Sequence, residues 1–258
     1  MTLTPQQIEL FRHNGYLILE NCIEPQVVES VLNIWRTDPQ LKDDTKENAN
    51  FEGEGLPTRL AYRPYMADDA YSAVACSERI VGPLAQIYES TISHYYTLNM
   101  QKDPATGGWE YHQDYGYHYN EFLYPQFVSV MVALDPATKE NGCLRVIKGS
   151  NRLGRLHHEG LGSQRIADPE RLGFAMAELD EVHCEMAPGS VLLFDGNTLH
   201  ASNPNRSDYG RWSLVIAYVP DSNVWVRPGK PQMTHVDPLS DDAVRAAMQA
   251  HEERIAAG

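Results

Sequence analysis

The sequence GWEYHQDYGYH, residues 108–118, predicts an extended strand that presents two metal-binding side chains. Successive side chains of a strand point to opposite faces, so His112 and Asp114 are expected to point the same way. An imidazole and a carboxylate on one face supply two ligands of a two-histidine, one-carboxylate site, which binds Fe(II) and leaves other coordination positions open. The pair alone is a weak signal, because the chain has 10 histidines and short motifs also arise by chance.

The third ligand is expected at His200, which follows His112 by 88 residues. It lies in VLLFDGNTLHAS, residues 191–202, where an apolar strand runs into a turn. Arg211 comes 11 residues later and opens the apolar strand WSLVIAYV, residues 212–219. A planar guanidinium on such a strand can bind a carboxylate through two parallel hydrogen bonds. These features favour a metal site with an anion-binding arginine beside it.

Other histidines also have acidic neighbours, but their surroundings are less suitable. His235 and Asp237 form a second His-x-Asp pair, and the only histidine that follows them is His251, in a polar and helical tail. His157 and His183 are each followed by a glutamate two residues later. These rivals lack a third ligand in a later apolar strand, so the first set is preferred.

The three expected ligands and Arg211, with NGCL at 141–144 and KGS at 148–150 between them, resemble the pattern of the phytanoyl-CoA dioxygenase family. The resemblance runs from about Thr4 to about Pro220. It implies an α+β fold with a double-stranded β-helix core, also called a jelly-roll or cupin-like core, with N-terminal and flanking helices. It further implies a dioxygenase, an oxidoreductase that binds iron, uses 2-oxoglutarate as cosubstrate and consumes O2.

The resemblance also implies roles for individual residues. The expected metal ligands and catalytic residues are His112, Asp114 and His200. The expected contacts of 2-oxoglutarate are Arg211, Ser202, Arg59, Leu98 and Met131. Ser202 would donate its hydroxyl hydrogen to the cosubstrate carboxylate. Taken without the resemblance, Arg59 is equally compatible with a surface position, and Leu98 and Met131 with an ordinary core.

A substrate pocket is predicted from the aromatic density of the first stretch, because ligand pockets are lined mainly by apolar and aromatic side chains. The expected substrate contacts are Trp109, Tyr111, Tyr115 and Tyr117. Aromatic residues are common in strands in any case, so the ordinary interpretation stays open. Arginines between residues 145 and 171 offer a partner for an anionic group of the substrate, or they belong to a solvated loop.

Composition predicts a single domain, residues 1–258. The resemblance implies a jelly-roll core at about 94–220, and a C-terminal helix is expected at about 240–256. No apolar run approaches the roughly 18 residues of a membrane span. The N-terminus lacks the regions of a secretory signal, and four scattered cysteines favour reduced thiols, so a cytoplasmic location is expected. The formal charge of −14 disfavours nucleic acid and anionic membranes as partners. A monomer or a homodimer is expected.

Local signals predict several elements. Residues 4–15 carry the start and end signals of a helix. Residues 37–57 lack periodicity and predict a surface loop, either a mobile lid or a solvated connector. Asn141-Gly142 predicts a hairpin turn, so that a strand at 143–147 returns from the buried strand at 127–134.

The combined prediction is an oxygenase that hydroxylates, or otherwise oxidises, an unactivated C–H bond of a small metabolite or natural-product intermediate and releases succinate and CO2. An acyl-CoA substrate is an alternative, although the charge of −14 would repel a molecule with several phosphates. Two further classes stay open: a non-catalytic jelly-roll protein that binds a metal or ligand, and a zinc hydrolase with the same three ligands. Asp114 predicts oxygenation and not halogenation, because halogenating relatives replace this carboxylate with a small residue.

Overall fold

The first helix shows how local signals set the bounds of an element. The computed structural model describes residues 1–48, 55–161, 164–229 and 231–257. Helix α1 spans Pro5–Asn14, and the Thr4 hydroxyl caps it by accepting a hydrogen bond from the Gln7 amide. The helix ends at Gly15, whose φ of 80° lies in the left-handed region that glycine tolerates best. The predicted helix is confirmed.

Helices and strands alternate in the first half of the chain, and strands dominate the second. The other helices are α2 (Pro25–Thr37), α3 (Pro39–Asp44), α4 (Ala70–Ala75), α5 (Glu78–Tyr88), α6 (Asp114–His118), α7 (Pro169–Glu178) and α8 (Asp241–Ala257), with a short 3-10 helix at Ser150–Leu153. The strands are β1 (Tyr16–Leu19), β2 (Lys46–Asn48), β3 (Thr58–Arg63), β4 (Ile92–Lys102), β5 (Trp109–His112), β6 (Val128–Ala133), β7 (Leu144–Ile147), β8 (His158–Leu161), β9 (Gln164–Ala167), β10 (Glu181–His183), β11 (Val191–Asp195), β12 (His200–Ser202), β13 (Arg211–Pro220) and β14 (Thr234–His235).

Two antiparallel sheets face each other and form the core. The larger sheet has eight strands, in the order β1-β11-β6-β13-β4-β3-β2, with β14 paired to β4. The smaller sheet has four strands, in the order β10-β7-β12-β5. Strands β8 and β9 pair separately. The α+β fold with a jelly-roll core and flanking helices, expected from the resemblance, is confirmed.

Strand β6 shows how the large sheet divides the apolar interior. Val128, Val130 and Val132 belong to a cluster that also contains buried side chains of α2, α4 and α5. Met131 and Ala133 point the other way and pack with side chains of β7 in the small sheet. One face of the large sheet therefore supports the helical layer, and the other face lines the space between the sheets.

The prediction of an irregular loop at residues 37–57 is wrong in its described part, which contains α3 and β2. The carboxylate of Asp38 caps α3 by accepting hydrogen bonds from two backbone amides of the first turn. Leu41 anchors the helix in the core, where it is 1% exposed. Burial of this one leucine outweighs the polar composition of the segment. The alternative of a mobile lid over residues 37–57 stays a prediction, and residues 49–54 of that range lie outside the described residues.

The hairpin predicted at Asn141-Gly142 is also wrong, although Gly142 does adopt a positive φ of 73°. Strand β6 pairs with β11 and β13 in the large sheet, whereas β7 pairs with β10 and β12 in the small one. The turn therefore carries the chain from one sheet to the other. The Asn141 side chain stabilises it by donating to the carbonyl of Pro136 and accepting from the amide of Thr138.

The largest apolar cluster joins the N-terminal helices, the large sheet and α8. The four cysteines are free thiols. No helix within the described ranges combines the length and the apolar character needed to cross a membrane. The expectation that residues 1–258 form one domain stays a prediction.

Candidate metal centre and ligand cavity

Strand pairing in the small sheet brings two histidines together. His112 ends β5 and lies directly opposite His200, the first residue of β12. Their ring centroids are 4.2 Å apart. The Nε2 atom of each ring lies 3.5 Å from Oδ1 of Asp114. One ligand atom from each of the three residues lies within 4.8 Å of the others, so the three side chains surround a space that one metal ion can fill.

Asp114 reaches this position for a reason that differs in part from the sequence prediction. The predicted strand does not continue through residue 118, because it ends at His112 and helix α6 begins at Asp114. Gln113 between them is still extended, with φ −116° and ψ 132°, so the alternation lasts just long enough to turn both side chains the same way. The Gln113 side chain points away and donates to the carbonyls of Gly154 and Asn197.

Hydrogen bonds fix the orientation of each side chain of this triad. Nδ1 of His112 lies 2.7 Å from the carbonyl of Glu110, and Nδ1 of His200 lies 2.9 Å from that of Thr198. Because a carbonyl only accepts, each Nδ1 carries the hydrogen and each Nε2 is left to bind a metal. The Ser129 hydroxyl donates to Oδ2 of Asp114, which leaves Oδ1 facing the histidines.

The electrostatics of the triad favour a cation. Burial alone would raise the pKa of Asp114, but the two imidazoles hold that pKa well below its usual value, so the carboxylate is ionised. Burial and the neighbouring His200 lower the pKa of His112. A neutral imidazole and an ionised carboxylate are the forms that bind a metal. Two nitrogens and one oxygen on one side, with the other side open, match the donor set of an Fe(II) site with free positions.

The triad opens onto a cavity of about 250 Å³ between the two sheets. Six of the nine other residues predicted for the site line it, namely Leu98, Trp109, Tyr117, Met131, Ser202 and Arg211. Residues that the sequence prediction did not include also line it, namely Tyr62, Tyr96, Met100, His118, Leu144, Phe194, Ala201 and Val215. Tyr96 and Met100 share a face of β4 with the predicted Leu98, and Val215 shares a face of β13 with the predicted Arg211. Alternation along β4 and β13 could therefore have found them.

Arg211 is a buried cation without a charged partner in the described part of the chain. It is 3% exposed, its Nη1 lies 3.6 Å from the sulfur of Met131, and its Nε has no hydrogen-bond partner among the described residues. Burial lowers the pKa of the guanidinium to about 10, so it stays charged at neutral pH. An unpaired buried charge is costly. The site therefore suits an anionic ligand, such as the distal carboxylate of 2-oxoglutarate.

Lys102 is a second buried basic side chain, and the sequence prediction missed it. It pairs with Arg211 in the register of β4 and β13 and is 1% exposed. Burial and the nearby Arg211 lower the pKa of the Lys102 ammonium well below its usual value. Its Nζ donates to the Ser202 hydroxyl over 2.9 Å and to the carbonyl of Asn203. Because Ser202 accepts from Lys102, its own hydrogen is left to be donated to a ligand.

We expect Lys102→Met to weaken 2-oxoglutarate binding about 10- to 100-fold, because Ser202 would lose the donor that turns its hydroxyl hydrogen towards the cosubstrate carboxylate. A hydrogen bond to such a charged group contributes roughly 1.5–3 kcal/mol. Methionine has a similar length but cannot donate to Ser202. Calorimetric titration of 2-oxoglutarate into the anaerobic, Fe(II)-loaded protein measures the change. Lys139→Met, at an exposed lysine, is the matched control. An unchanged affinity in Lys102→Met would mean that Lys102 serves packing alone.

Three predicted site residues do not reach the cavity. Arg59 lies on β3 with its side chain 48% exposed and forms an ion pair with Asp103 over 2.5 Å. The hydroxyl of Tyr111 donates to Glu181, because Tyr111 points to the opposite face from its neighbour in β5. The hydroxyl of Tyr115 donates to the carbonyl of Phe122, since α6 turns this ring into the core. None of the three lines the cavity of the ligand-free structure, so their expected ligand contacts stay predictions.

The arginines of the segment 145–171 also lie outside the cavity lining. The guanidinium carbon of Arg155 lies 4.2 Å from the ring centroid of Tyr119, and that of Arg165 lies 5.6 Å from the ring centroid of Tyr117. Arg145 pairs with Glu181. These cations are engaged with aromatic and acidic neighbours, as in an ordinary surface segment.

Comparisons with known proteins show which chains this one resembles. A family model described as phytanoyl-CoA dioxygenase (PhyH) matches residues 11–213. The chain is 26% identical over 225 residues to the 2-aminoethylphosphonate dioxygenase of uncultured bacterium HF130_AEPn_1, covering 83% of this chain and 81% of the relative. It is 26% identical over 245 residues to the ectoine dioxygenase of Halomonas elongata, covering 88% of this chain and 73% of the relative.

Solved structures share the fold. The apo form of EctD from S. alaskensis matches with a TM-score of 0.76 at 20% identity, covering 92% of this chain and 88% of that chain. The epimerase SnoN from nogalamycin biosynthesis, described as non-heme and α-ketoglutarate-dependent, matches with a TM-score of 0.70 at 15% identity, covering 91% of this chain and 94% of that chain. At this level of identity, the likeness concerns the arrangement of the elements.

Proposed function

Because the chain belongs to the phytanoyl-CoA dioxygenase family, we propose that its cavity holds Fe(II) and 2-oxoglutarate side by side and oxidises a small molecule there. The protein is a 2-oxoglutarate-dependent dioxygenase, and its relatives include dioxygenases of ectoine and 2-aminoethylphosphonate and a proline hydroxylase. Fe(II), 2-oxoglutarate and O2 are accordingly its cofactor and cosubstrates. In this proposal the metal ligands are His112, Asp114 and His200.

The observation that carries the proposal is the position of the triad and the unpaired Arg211 on the same cavity. The positions of the triad and Arg211 can be compared along the inner face of the sheet formed by β4 and β13. Ser129, which holds Asp114, pairs with Ala217 of β13, and Arg211 lies six residues earlier on the same face. The guanidinium reaches back to Met131, about halfway along this span. A five-carbon dicarboxylate can therefore contact the metal with one end and Arg211 with the other.

The residues of the chain bind and orient the reactants. When cofactor and cosubstrate are bound, one oxygen atom of O2 enters the substrate as a hydroxyl group and the other enters succinate. The succinate is formed from 2-oxoglutarate, which releases CO2. Arg211 and the Ser202 hydroxyl fix the distal carboxylate. Leu98, Met131 and Val215 form an apolar wall along the cavity, which excludes water from the reacting atoms.

The size of the cavity favours a small substrate over an acyl-CoA. Its volume of about 250 Å³ lies just below the range for ligand sites, roughly 300–1,000 Å³, and the cosubstrate takes a share of it. Arg145, Arg155 and Arg165 of the nearby segment are engaged with acidic or aromatic neighbours and do not line the cavity. With Asp114 in place as an ionised ligand, hydroxylation or a related oxidation is proposed rather than halogenation.

The remaining proposals concern the protein as a whole. We propose that residues 1–258 form a single domain that works in the cytoplasm as a monomer or a homodimer. The apolar cluster that runs from α1 to α8 supports a single domain. Limited proteolysis tests this point, because a single domain should be degraded without leaving a stable fragment that corresponds to one part of the chain. Light scattering after size-exclusion chromatography tests the oligomeric state.

Succinate formation tests the proposed function. The purified protein is loaded with Fe(II) under argon, then mixed with 2-oxoglutarate and O2, and succinate is measured by NMR. We expect slow succinate release without a primary substrate, and none when 2-oxoglutarate is omitted or Fe(II) is replaced by Zn(II). Failure to bind Fe(II) together with an absence of succinate would reject the proposal.

A further inference from the structure

The cavity has a cationic end and an aromatic end. Lys102, Met100, Leu98 and Tyr96 follow one another on the inner face of β4. Lys102 pairs with Arg211 at one end of this face, and Tyr96 lies six residues away, about 20 Å along the strand. The triad lies towards the Tyr96 end, because Ser129 beside Asp114 occupies the same level of the sheet as Tyr96. A substrate must therefore approach from the aromatic side.

Aromatic rings surround this end of the cavity. The ring of Tyr117 lies edge-on to His112 at 5.5 Å between centroids, and Trp109 lies 6.2 Å from the same ring. Tyr62 and Tyr96 are 5.5 Å apart on the opposite wall, which belongs to the large sheet. Flat apolar walls on two sides favour a ligand that contains a ring.

His118 is one polar group of the aromatic end; another is Trp109, whose buried Nε1 has no hydrogen-bond partner among the described residues. Its Nδ1 lies 2.7 Å from Oε2 of Glu121, and the hydroxyl of Tyr95 donates to the same oxygen over 2.6 Å. Burial alone would raise the pKa of Glu121, but the hydrogen bonds from His118 and Tyr95 lower it below its usual value, so the carboxylate is ionised. An ionised carboxylate only accepts, so Nδ1 carries a hydrogen and Nε2 is the nitrogen left for a ligand.

The ring of His118 is held in one orientation. It stacks on Phe127 at 4.9 Å with an interplanar angle of 18°, and it lies edge-on to Tyr95 at 5.1 Å. Among the described residues, no side chain lies within hydrogen-bond distance of Nε2 of His118. A polar atom presented by a rigid ring in an apolar surrounding is a site for a single, directed hydrogen bond.

Charge limits what else can bind. The charges of Fe(II), Asp114, Arg211 and the 2-oxoglutarate dianion cancel. Lys102 donates to Ser202 and Asn203 and does not line the cavity. Among the described lining residues, Arg211 is the only lysine or arginine, and it lies at the far end. An anionic substrate would therefore be buried at the aromatic end without a countercharge, which is costly.

We propose that the primary substrate is an uncharged, ring-bearing small molecule whose hydroxyl group hydrogen-bonds to Nε2 of His118. This inference rests on the proposed function, because the charge balance assumes that Arg211 is occupied by 2-oxoglutarate. The aromatic walls hold the ring beside the metal, and His118 sets which C–H bond faces it. Glu121 acts through His118 as a positioning residue.

Probes with the same ring and different charge test the substrate class. Benzyl alcohol, benzylammonium and benzoate are each added to the wild-type protein loaded with Fe(II) and saturating 2-oxoglutarate under argon. Broadening of their proton NMR lines by the paramagnetic metal reports binding near the iron without turnover. We expect benzyl alcohol to bind at least about tenfold more tightly than benzoate. Equal or tighter binding of benzoate or benzylammonium, or no broadening of any probe, would overturn the proposal.

His118→Phe tests the hydrogen bond. The variant keeps the ring and its stacking on Phe127 but loses Nε2. We expect benzyl alcohol to bind about three- to tenfold more weakly, as for the loss of one hydrogen bond, while toluene binds as before. Tyr119→Phe, at the exposed next residue, is the matched control. Unchanged discrimination between benzyl alcohol and toluene in His118→Phe would reject the role of His118.

A failure of this substrate proposal can be distinguished from a failure of the proposed function. Fe(II) uptake and succinate release can both be normal while the probes fail to show the expected order, in which case only the substrate class is rejected. Loss of Fe(II) uptake and of succinate release would reject the proposed function itself. The probe comparison needs no variant, so it can be decided even if His118→Phe does not fold.

Discussion

Replacing His112, Asp114 or His200 with alanine is expected to lower turnover about a thousandfold or more, because two remaining ligands cannot hold Fe(II) on one face. The three ligand atoms lie within 4.8 Å of one another, and each side chain is held by its own hydrogen bond. Succinate release and the iron content of protein prepared under argon are the measurements. Both should fall together in each variant.

The control for the triad is His235→Ala, which removes the rival His-x-Asp pair. His235 is half exposed and forms a surface ion pair with Asp221 over 2.7 Å. We expect full iron content and full succinate release in this variant. Circular dichroism should show that all four variants keep the wild-type fold. Wild-type turnover in any of the three triad variants would contradict the metal assignment.

The second large effect is expected from Arg211→Met. A buried bidentate contact to a charged group, when one partner is removed, contributes roughly 2–5 kcal/mol, which corresponds to about 30- to 4,000-fold in affinity. The dissociation constant of 2-oxoglutarate and its KM should rise by that factor. The free energy of unfolding should stay the same or increase, because the variant removes a buried charge that has no charged partner in the ligand-free protein.

In Arg211→Met the affinity for 2-oxoglutarate should fall while the free energy of unfolding does not. This combination distinguishes a residue that binds the cosubstrate from one that supports the fold. A residue that only supports the fold would lower the free energy of unfolding when replaced, and the affinity for 2-oxoglutarate would follow. Urea denaturation without ligand and calorimetric titration with 2-oxoglutarate measure the two quantities. Arg206→Met is the control, since Arg206 is exposed in the preceding turn. A strong effect of Arg206→Met with none from Arg211→Met would contradict the proposal.

The shared direction of the His112 and Asp114 side chains was predictable because it depends on neighbours in the chain. One extended residue, Gln113, is enough to turn His112 and Asp114 to the same side. The cap of α1 at Thr4 and its end at Gly15 are equally local. Alternation along β4 would also have indicated Lys102, which lies on the same face as Leu98 and Met100. That residue was missed because buried lysines are rare.

Aromatic density in the first stretch was a less reliable guide. Trp109 and Tyr117 line the cavity, whereas Tyr111 and Tyr115 do not. Trp109 and Tyr111 would share a face in a regular strand, but the register of β5 against β12 shifts between Trp109 and His112. The Tyr111 hydroxyl then donates to Glu181 of a distant strand. Tyr115 is turned into the core because α6 begins one residue earlier, and the sequence pattern predicted a continuing strand there. Residue type indicated an aromatic stretch beside the cavity, but it did not show which of the four side chains face it.

By itself the sequence determined the family, the fold class, the identity of the triad candidates and the arginine, because these depend on residue type, spacing and local alternation. The tertiary structure decided which strands are neighbours: Asn141-Gly142 marks a turn, but only packing between the sheets places β7 beside β12 and away from β6. It also decided that Arg59 pairs with Asp103 at the surface and that His118 faces the cavity with Glu121 behind it. Partners distant in sequence set these contacts, and local sequence patterns do not encode them.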